Sequence, residues 1–284
     1  MKEVHPVIVS ASRRTDIPAF YMEDFLKKWR RGFTIWKNPF NPKQRRKVFF
    51  DKTKLVVFWS KYPVGYLKNI DKISFEHYML YTINYYPKLE PKLPDLKKRI
   101  ELFKEISRKI GKEKVIWRFD PIVLIRNIIT PNDIVERFEV IANELSGFTF
   151  RVIVSFMTPY KKVLYRFKRM KMEYIPPTSD EVYYIAKKLG RISKKFGFEI
   201  QSCSEKFNSL GELEAFGIRR GACIDKDYIV RVFSENRELV SEVSKLRKDK
   251  GQRSLCLCVE SADIGEYNTC KFDCIYCYAI MKRR

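Results

Sequence analysis

Histidine is almost missing from this sequence. His5 and His77 are the only two, and neither stands at ligand spacing from the other or from a carboxylate, which argues against a histidine-built metal or hydrolase site. No apolar run approaches the ~18 residues that a membrane span needs. The opening residues, MKEVHPVIVSASRRTD, reach charge after a short apolar stretch, unlike a secretory signal. No G-x-G-x-x-G follows an apolar run, which argues against a dinucleotide fold. Repeats and low-complexity stretches are absent too. What these absences leave is a cytoplasmic globular chain whose 284 residues suffice for one large α/β domain. Acidic residues are scarce relative to basic ones, 34 against 57, for a formal charge of +23. Such an excess attracts polyanions, and nucleic acid is the usual one.

Cysteine, by contrast, is well represented, with seven residues. In a cytoplasmic chain, clustered cysteines point to metal binding or catalysis before disulfides. Cys270, Cys274 and Cys277 lie in TCKFDCIYCY, a C-x3-C-x2-C spacing with Tyr276 directly before the last thiol. Three thiolates so close can hold three irons of a 4Fe–4S cube and leave the fourth open to a substrate or cofactor. Zinc is the alternative, since C-x2-C is its common half-site. Cys203, Cys223, Cys256 and Cys258 make a second set of four. Four thiolates complete a closed site, a second 4Fe–4S cluster or a structural zinc, that would tie these segments to the tail. The plain alternative for Cys203 and Cys223 is ordinary burial.

Apolar runs rich in β-branched and aromatic residues recur at Val7–Val9, Thr34–Trp36, Leu55–Trp59, Met79–Ile83, Val115–Trp117, Val152–Phe156 and Phe198–Gln201. Amphipathic stretches at Phe20–Arg31, Asp95–Ile110, Asn132–Leu145 and Ser179–Phe196 separate them. Pro131 followed by Asn132 or Asp133 as cap marks one helix start. Continuous apolar strands alternating with helices predict a parallel sheet covered on both faces. Their number favours a TIM-like full or partial (β/α) barrel over an open sheet, with residues 1–202 as barrel core. Residues 203–284 are expected as a cysteine-rich iron–sulfur segment packed on its mouth, not an independent domain.

In such a barrel the chemistry gathers at the C-terminal strand ends. Polar residues stand there: Ser12, Arg13, Arg14 and Asp16 after the first strand, Lys61 after Leu55–Trp59, Arg118 and Asp120 after Val115–Trp117, then Ser155, and Glu205 beyond Cys203. Arg13 and Arg14 suit a carboxylate or phosphate; Asp16 and Asp120 can accept from an amine or a ribose. Catalytic roles are assigned to Arg13, Asp16, Lys61, Arg118, Asp120 and Glu205, and cofactor contacts to Ser12, Arg14, Ser155 and Tyr276.

Two basic runs complete the inventory. Leu26–Lys47 carries nine cations and no anion, with Trp29, Phe33, Trp36 and Phe40 interleaved, and Lys161–Lys171 carries six with Tyr165 and Phe167. Cations for phosphates and rings for bases are what a single-stranded nucleic-acid groove needs. The bland reading is a thermophile-like bias toward Lys, Glu and Ile, with three Gln in the chain.

The spacing and aromatic of the last cysteines resemble the signature of the radical S-adenosylmethionine enzymes. The resemblance implies a 4Fe–4S cluster on Cys270, Cys274 and Cys277, S-adenosylmethionine as cofactor, and an electron donor such as a ferredoxin. In those enzymes the loop follows the first barrel strand, whereas here it stands near the last residues, so the strand order would be circularly permuted. Their glycine-glycine-glutamate run is absent, with Ser12 to Asp16 as a substitute. The chain as a whole resembles the family named domain of unknown function 1848, through VSASRRTDIPAF (9–20), WKNPFNP (36–42), FWSKYP (58–63), VIWRFDPI (115–122), SFMTPYKK (155–162), CSE (203–205), GIRRGACID (217–225) and residues 249–279. That family implies no activity, but it suggests that cysteines and strand-end residues belong to one site. The leading expectation is a radical S-adenosylmethionine-like enzyme. Two others stand beside it: a zinc- or cluster-stapled nucleic-acid-binding protein without catalysis, and a metal-dependent hydrolase or nuclease using Asp16, Asp120 and Glu205.

Overall fold

The apolar runs become strands of a single large sheet. The computed structural model describes residues 1–41, 43–203 and 213–281. In chain order the elements are β1 (Lys2–Val4), β2 (Ile8–Ala11), α1 (Ile17–Phe20), α2 (Met22–Arg31), β3 (Phe33–Lys37), β4 (Arg45–Phe49), β5 (Leu55–Ser60), α3 (Val64–Leu67) and β6 (His77–Thr82). Then come α4 (Leu96–Ile110), β7 (Val115–Ile122), α5 (Pro131–Leu145), β8 (Arg151–Phe156), α6 (Lys161–Arg169), α7 (Ser179–Phe196), β9 (Glu199–Cys203), β10 (Arg219–Gly221), α8 (Lys226–Val232), α9 (Arg237–Ser244) and β11 (Ala262–Asp263).

Eight strands form the main sheet in the order β10-β9-β8-β7-β6-β5-β2-β11. Every pair in it is parallel. The fold is therefore mixed α/β around a parallel sheet, whose strands must be covered on both faces. Every residue of β2 and β5 is buried accordingly. Val9, Val56, Phe58, Met79, Tyr81, Trp117 and Val152 pack with side chains of α2, α4, α5 and α7 in one cluster. Their alternates Ile8, Val57, Trp59, Tyr78, Leu80, Ile116 and Ile153 share a second cluster with side chains of α8 and α9 and four cysteines.

Some expectations shift. Thr34–Trp36 forms part of β3, which pairs antiparallel with β4 in a separate three-stranded sheet, not in the main one. Its burial alternates, which suits a half-covered hairpin but not a strand covered on both sides. The helix expected to be capped by Asn132 or Asp133 is capped by Thr130, with Pro131 inside the first turn and Asp133 closing a capping box. The stretch Phe20–Arg31 divides at Tyr21 into α1 and α2. The sequence after residue 202 supplies β10 and β11, the two edges of the main sheet. Among the described residues no helix is long and apolar enough to cross a membrane.

Candidate functional site at the strand ends

The turn after β2 is folded around one hydroxyl. Ser12 Oγ accepts from the backbone N–H groups of Arg14 (3.0 Å) and Thr15 (3.1 Å). Gly265 presses against it so closely that a Cβ there would fall 1.7 Å from Ser12 Oγ. Asp263, at the end of β11, accepts from Ser10 Oγ (3.1 Å) and from the Arg13 N–H (2.8 Å). Thr15 Oγ1 bonds to Thr269 Oγ1 (2.7 Å) and donates to the Glu266 carbonyl (2.9 Å), while Tyr278 donates to the Arg13 carbonyl at 2.8 Å. The loop carrying the last three cysteines is thus stitched to the loop after β2.

Asp16 caps α1 by accepting from the Ala19 N–H (3.0 Å), and its other oxygen takes the Lys61 N–H at 2.8 Å. Burial pushes its carboxyl up to about 6, against the pull of those hydrogen bonds. A third residue group connects β7 and β8. Arg118 ion-pairs closely with Asp120, Ser155 Oγ donates closely to Asp120, and the Asp120 N–H is held by Asn84 Oδ1 at 2.8 Å. The guanidinium carbons of Arg13 and Arg118 lie 4.9 and 5.0 Å from the Trp59 ring centroid. Among the described residues, buried nitrogens of Arg13, Arg14, Arg118 and Trp59 have no hydrogen-bond partner, which marks this as a place where an anionic or carbonyl-bearing group would be welcomed.

The cysteine loop itself is clamped from several sides. Arg166 of α6 donates to the carbonyls of Ile275 (2.7 Å) and Ile280 (3.0 Å), and closely to that of Cys277. The Ile275 N–H donates to the Leu89 carbonyl at 2.9 Å. Lys61 Nζ reaches both the Tyr276 hydroxyl (2.6 Å) and Glu90 Oε1 (2.8 Å), and Tyr276 in turn donates closely to Glu90. Arg99 adds a second buried cation to Glu90 at 3.0 Å. Although burial alone would raise the Glu90 carboxyl, Lys61 and Arg99 outweigh it and hold it down at about 2.

Burial pushes all three thiols of the loop up. Cys270, with Asp16 beside it, reaches about 12. At Cys274 the positive charge of Lys61 works against the rise, and at Cys277 those of Arg166 and Lys61 do. The sulfurs sense one another electrostatically, yet no hydrogen bond joins any two of them among the described residues.

The other four cysteines are brought together as well. Cys203 ends β9, Cys223 follows β10, and Cys256 and Cys258 lie in the segment that leads to β11. Cys223 Sγ stands 3.8 Å from Cys203 Sγ. Cys203 also lies within electrostatic reach of Cys256, and Cys258 within reach of both Cys223 and Cys256, so the four thiols form one group. Cys258 is driven toward thiolate by Cys223 and Cys256, with Arg13 and the Ile224 N–H assisting. Val259 N–H donates to the Ile224 carbonyl at 3.1 Å, joining the segments beyond β10 and before β11. Among the described residues no group of three or more His, Cys, Asp or Glu side chains is placed to hold a metal ion.

The strand-end residues named from sequence therefore fall into adjoining groups: Ser12, Arg13, Arg14 and Asp16 on one loop, Arg118, Asp120 and Ser155 in one network, Lys61 and Tyr276 in another. Glu205 lies outside the described residues. Asp16 and Asp120 serve separate networks, with no hydrogen bond between them. Sequence reading missed Glu90, Arg99, Asp263 and Arg166, whose roles depend on partners far away in the chain. The basic runs lose members too. Trp29 is stacked on Phe50 with ring centroids 5.0 Å apart, and Arg166 and Phe167 are buried.

Compared with known families, residues 8–279 match the one described as Domain of unknown function (DUF1848). No curated protein and no solved structure matches the chain.

Proposed function

Because the chain belongs to the DUF1848 family, whose name carries no activity, its function has to come from the site, and we propose an iron–sulfur enzyme of radical S-adenosylmethionine type. The observation that carries this reading is the position of the three-cysteine loop. It directly follows β11, and β11 lies parallel beside β2, the first strand of the main sheet in chain order. A circularly permuted barrel requires this arrangement, with β11 standing where the leading strand of a radical enzyme would be. Closure of the sheet into a barrel belongs to the same proposal. The strands from β2 to β10 follow chain order and the last strand returns beside the first. The Val259–Ile224 and Ile224–Cys258 hydrogen bonds join the segments beside the two remaining edges.

The donor chemistry suits a cube, because three thiols on one short loop supply one ligand to each of three irons. A cluster held by Cys270, Cys274 and Cys277 would supply the electron for reductive cleavage of bound S-adenosylmethionine. This chain's residues do the rest. Arg166, Lys61 and Glu90 fix the loop. Arg13, beside Asp263 at 4.0 Å, and Arg14 offer a carboxylate buried N–H groups with no hydrogen-bond partner among the described residues. Asp120, aligned by Arg118, Ser155 and Asn84, presents an acceptor at the same face. An electron donor of ferredoxin type is the implied partner.

A polyanionic substrate is favoured by a specific rim. Arg14 lies over both Trp36 (5.8 Å) and Tyr267 (5.6 Å), Arg46 over Trp36 (5.2 Å), and Lys162 over Tyr267 (5.0 Å), with exposed Phe40 5.9 Å from Tyr267. Rings for bases and cations for phosphates stand there beside the cysteine loop. If a single-stranded nucleic acid binds here, its affinity falls steeply with salt and Phe40→Ala weakens it; salt-independent binding contradicts this.

The test of the main reading is iron and acid-labile sulfide in protein purified without oxygen. We expect about four of each per chain, lost on changing Cys270, Cys274 and Cys277 to Ser. Iron-free native protein, or iron untouched by that triple change, refutes it.

A further inference from the structure

The four-thiol group lies apart from the three-cysteine loop, and its chemistry is independent of the reading just given. Its members come from three stretches, the end of β9, the turn after β10 and the approach to β11, and all four are buried. Cysteines that simply fill a core need not find one another. Here all four are buried in one cluster, and Cys203 and Cys223 are in hydrogen-bond contact. The spacing is informative. With a Zn–S bond of about 2.3 Å, two sulfurs at tetrahedral corners stand about 3.8 Å apart. Cys203 Sγ and Cys223 Sγ are separated by 3.8 Å. Ligands of a 4Fe–4S cube each take a different iron and stand farther apart.

We propose that Cys203, Cys223, Cys256 and Cys258 bind a single zinc ion as a closed tetrathiolate that pins the two edge segments of the main sheet together. Among the described residues no three such side chains are yet placed to hold a metal ion, so loading has to draw the remaining sulfurs in to the spacing that Cys203 and Cys223 already have. Zinc with four thiolates carries two net negative charges, which would be costly in an apolar surround. Two cations answer them. Arg13 acts on Cys258 and Arg118 acts on Cys223, and both guanidinium groups flank Trp59. The Ile224 N–H points at Cys258 Sγ, 3.4 Å away, as backbone donors do around zinc thiolates. With all four positions taken by thiolate, the ion has no open site, so its role is structural.

The experiment counts metals in two proteins, the native chain and the Cys270→Ser/Cys274→Ser/Cys277→Ser variant, which keeps only the four-thiol set. About one zinc per chain is expected in both, falling at least tenfold when Cys258→Ser is added. A folded triple variant without zinc, one holding iron and sulfide at this set, or zinc that survives Cys258→Ser would each overturn the proposal. Native protein produced with cobalt in place of zinc gives a readout that needs no variant. Sulfur-to-cobalt charge-transfer bands with the absorption of a tetrahedral ion support the site, and their absence overturns it.

Discussion

Arg166 offers the sharpest perturbation of the site. Its guanidinium donates to three carbonyls of the cysteine loop, those of Ile275, Cys277 and Ile280. Hydrogen bonds from a charged donor contribute roughly 1.5–3 kcal/mol each. Because the three act on one loop they do not add, and about 3–5 kcal/mol is a reasonable total for Arg166→Met. That loss falls on closing the loop. At about 1.4 kcal/mol per decade, it weakens metal retention by roughly 100- to 4000-fold. Arg166→Lys keeps the charge but cannot reach all three acceptors, so it should fall between. Two assays read this out. Iron retained against a chelator reports affinity, and hydrogen exchange reports opening. The amides of Ile275 (to Leu89), Cys277 (to Cys274) and Asn268 (to Ala279) are hydrogen-bonded, so they should exchange faster in Arg166→Met while those of β5 and β6 stay protected. Unchanged loop exchange, or iron retention within twofold of native, would refute the clamp.

Three further outcomes follow from particular contacts. Glu90 is held at about 2 against its ordinary 4.5. Its charge therefore stabilises the fold above about pH 4.5, and that contribution, about 3 kcal/mol, is lost as pH falls toward 2, with about 2 kcal/mol gone by pH 3. Urea titrations of native protein and Glu90→Gln should show a gap that narrows over this range; a constant gap contradicts the assignment. Gly265→Ala should cost about 1–3 kcal/mol because its Cβ would meet Ser12, and Ser12→Gly in the same chain should recover part of that loss in thermal melts. Lys61→Met should leave Glu90 with Arg99 alone and loosen Tyr276, read as faster exchange of the Cys277 amide with little change in α4; equal exchange would show that Lys61 does not hold the loop.

Some of this was legible in the sequence because its physics is local. Cysteine spacing, the continuous apolar strands β5 and β6, and the capped helices α4 and α7 are set by neighbours a few residues apart. The strand-end polar residues could be found because a doubly covered strand has no use for Arg118 or Asp120. The remainder depends on distant partners. Arg166 sits in a run of cations on a short amphipathic helix, and only folding brings the carbonyls of residues 275–280 to it. Glu90 and Arg99 bury charge that looks like surface charge until they are paired with each other and with Lys61. β10 and β11, three and two residues long, are too short for any periodicity, so the two edge strands of the sheet could not be read from the sequence. Trp29 shows the reverse error, since an aromatic among cations reads as a binding surface while its ring packs on Phe50 and Phe75.

The central claim rests on an iron left open beside three thiolates, and electron paramagnetic resonance tests that most directly. The native chain, purified without oxygen and reduced with dithionite, would be recorded with and without S-adenosylmethionine. The account predicts a 4Fe–4S signal that shifts when S-adenosylmethionine is added and disappears in Cys274→Ser. A cluster signal that ignores S-adenosylmethionine, or no cluster signal from iron-replete native protein, would contradict it.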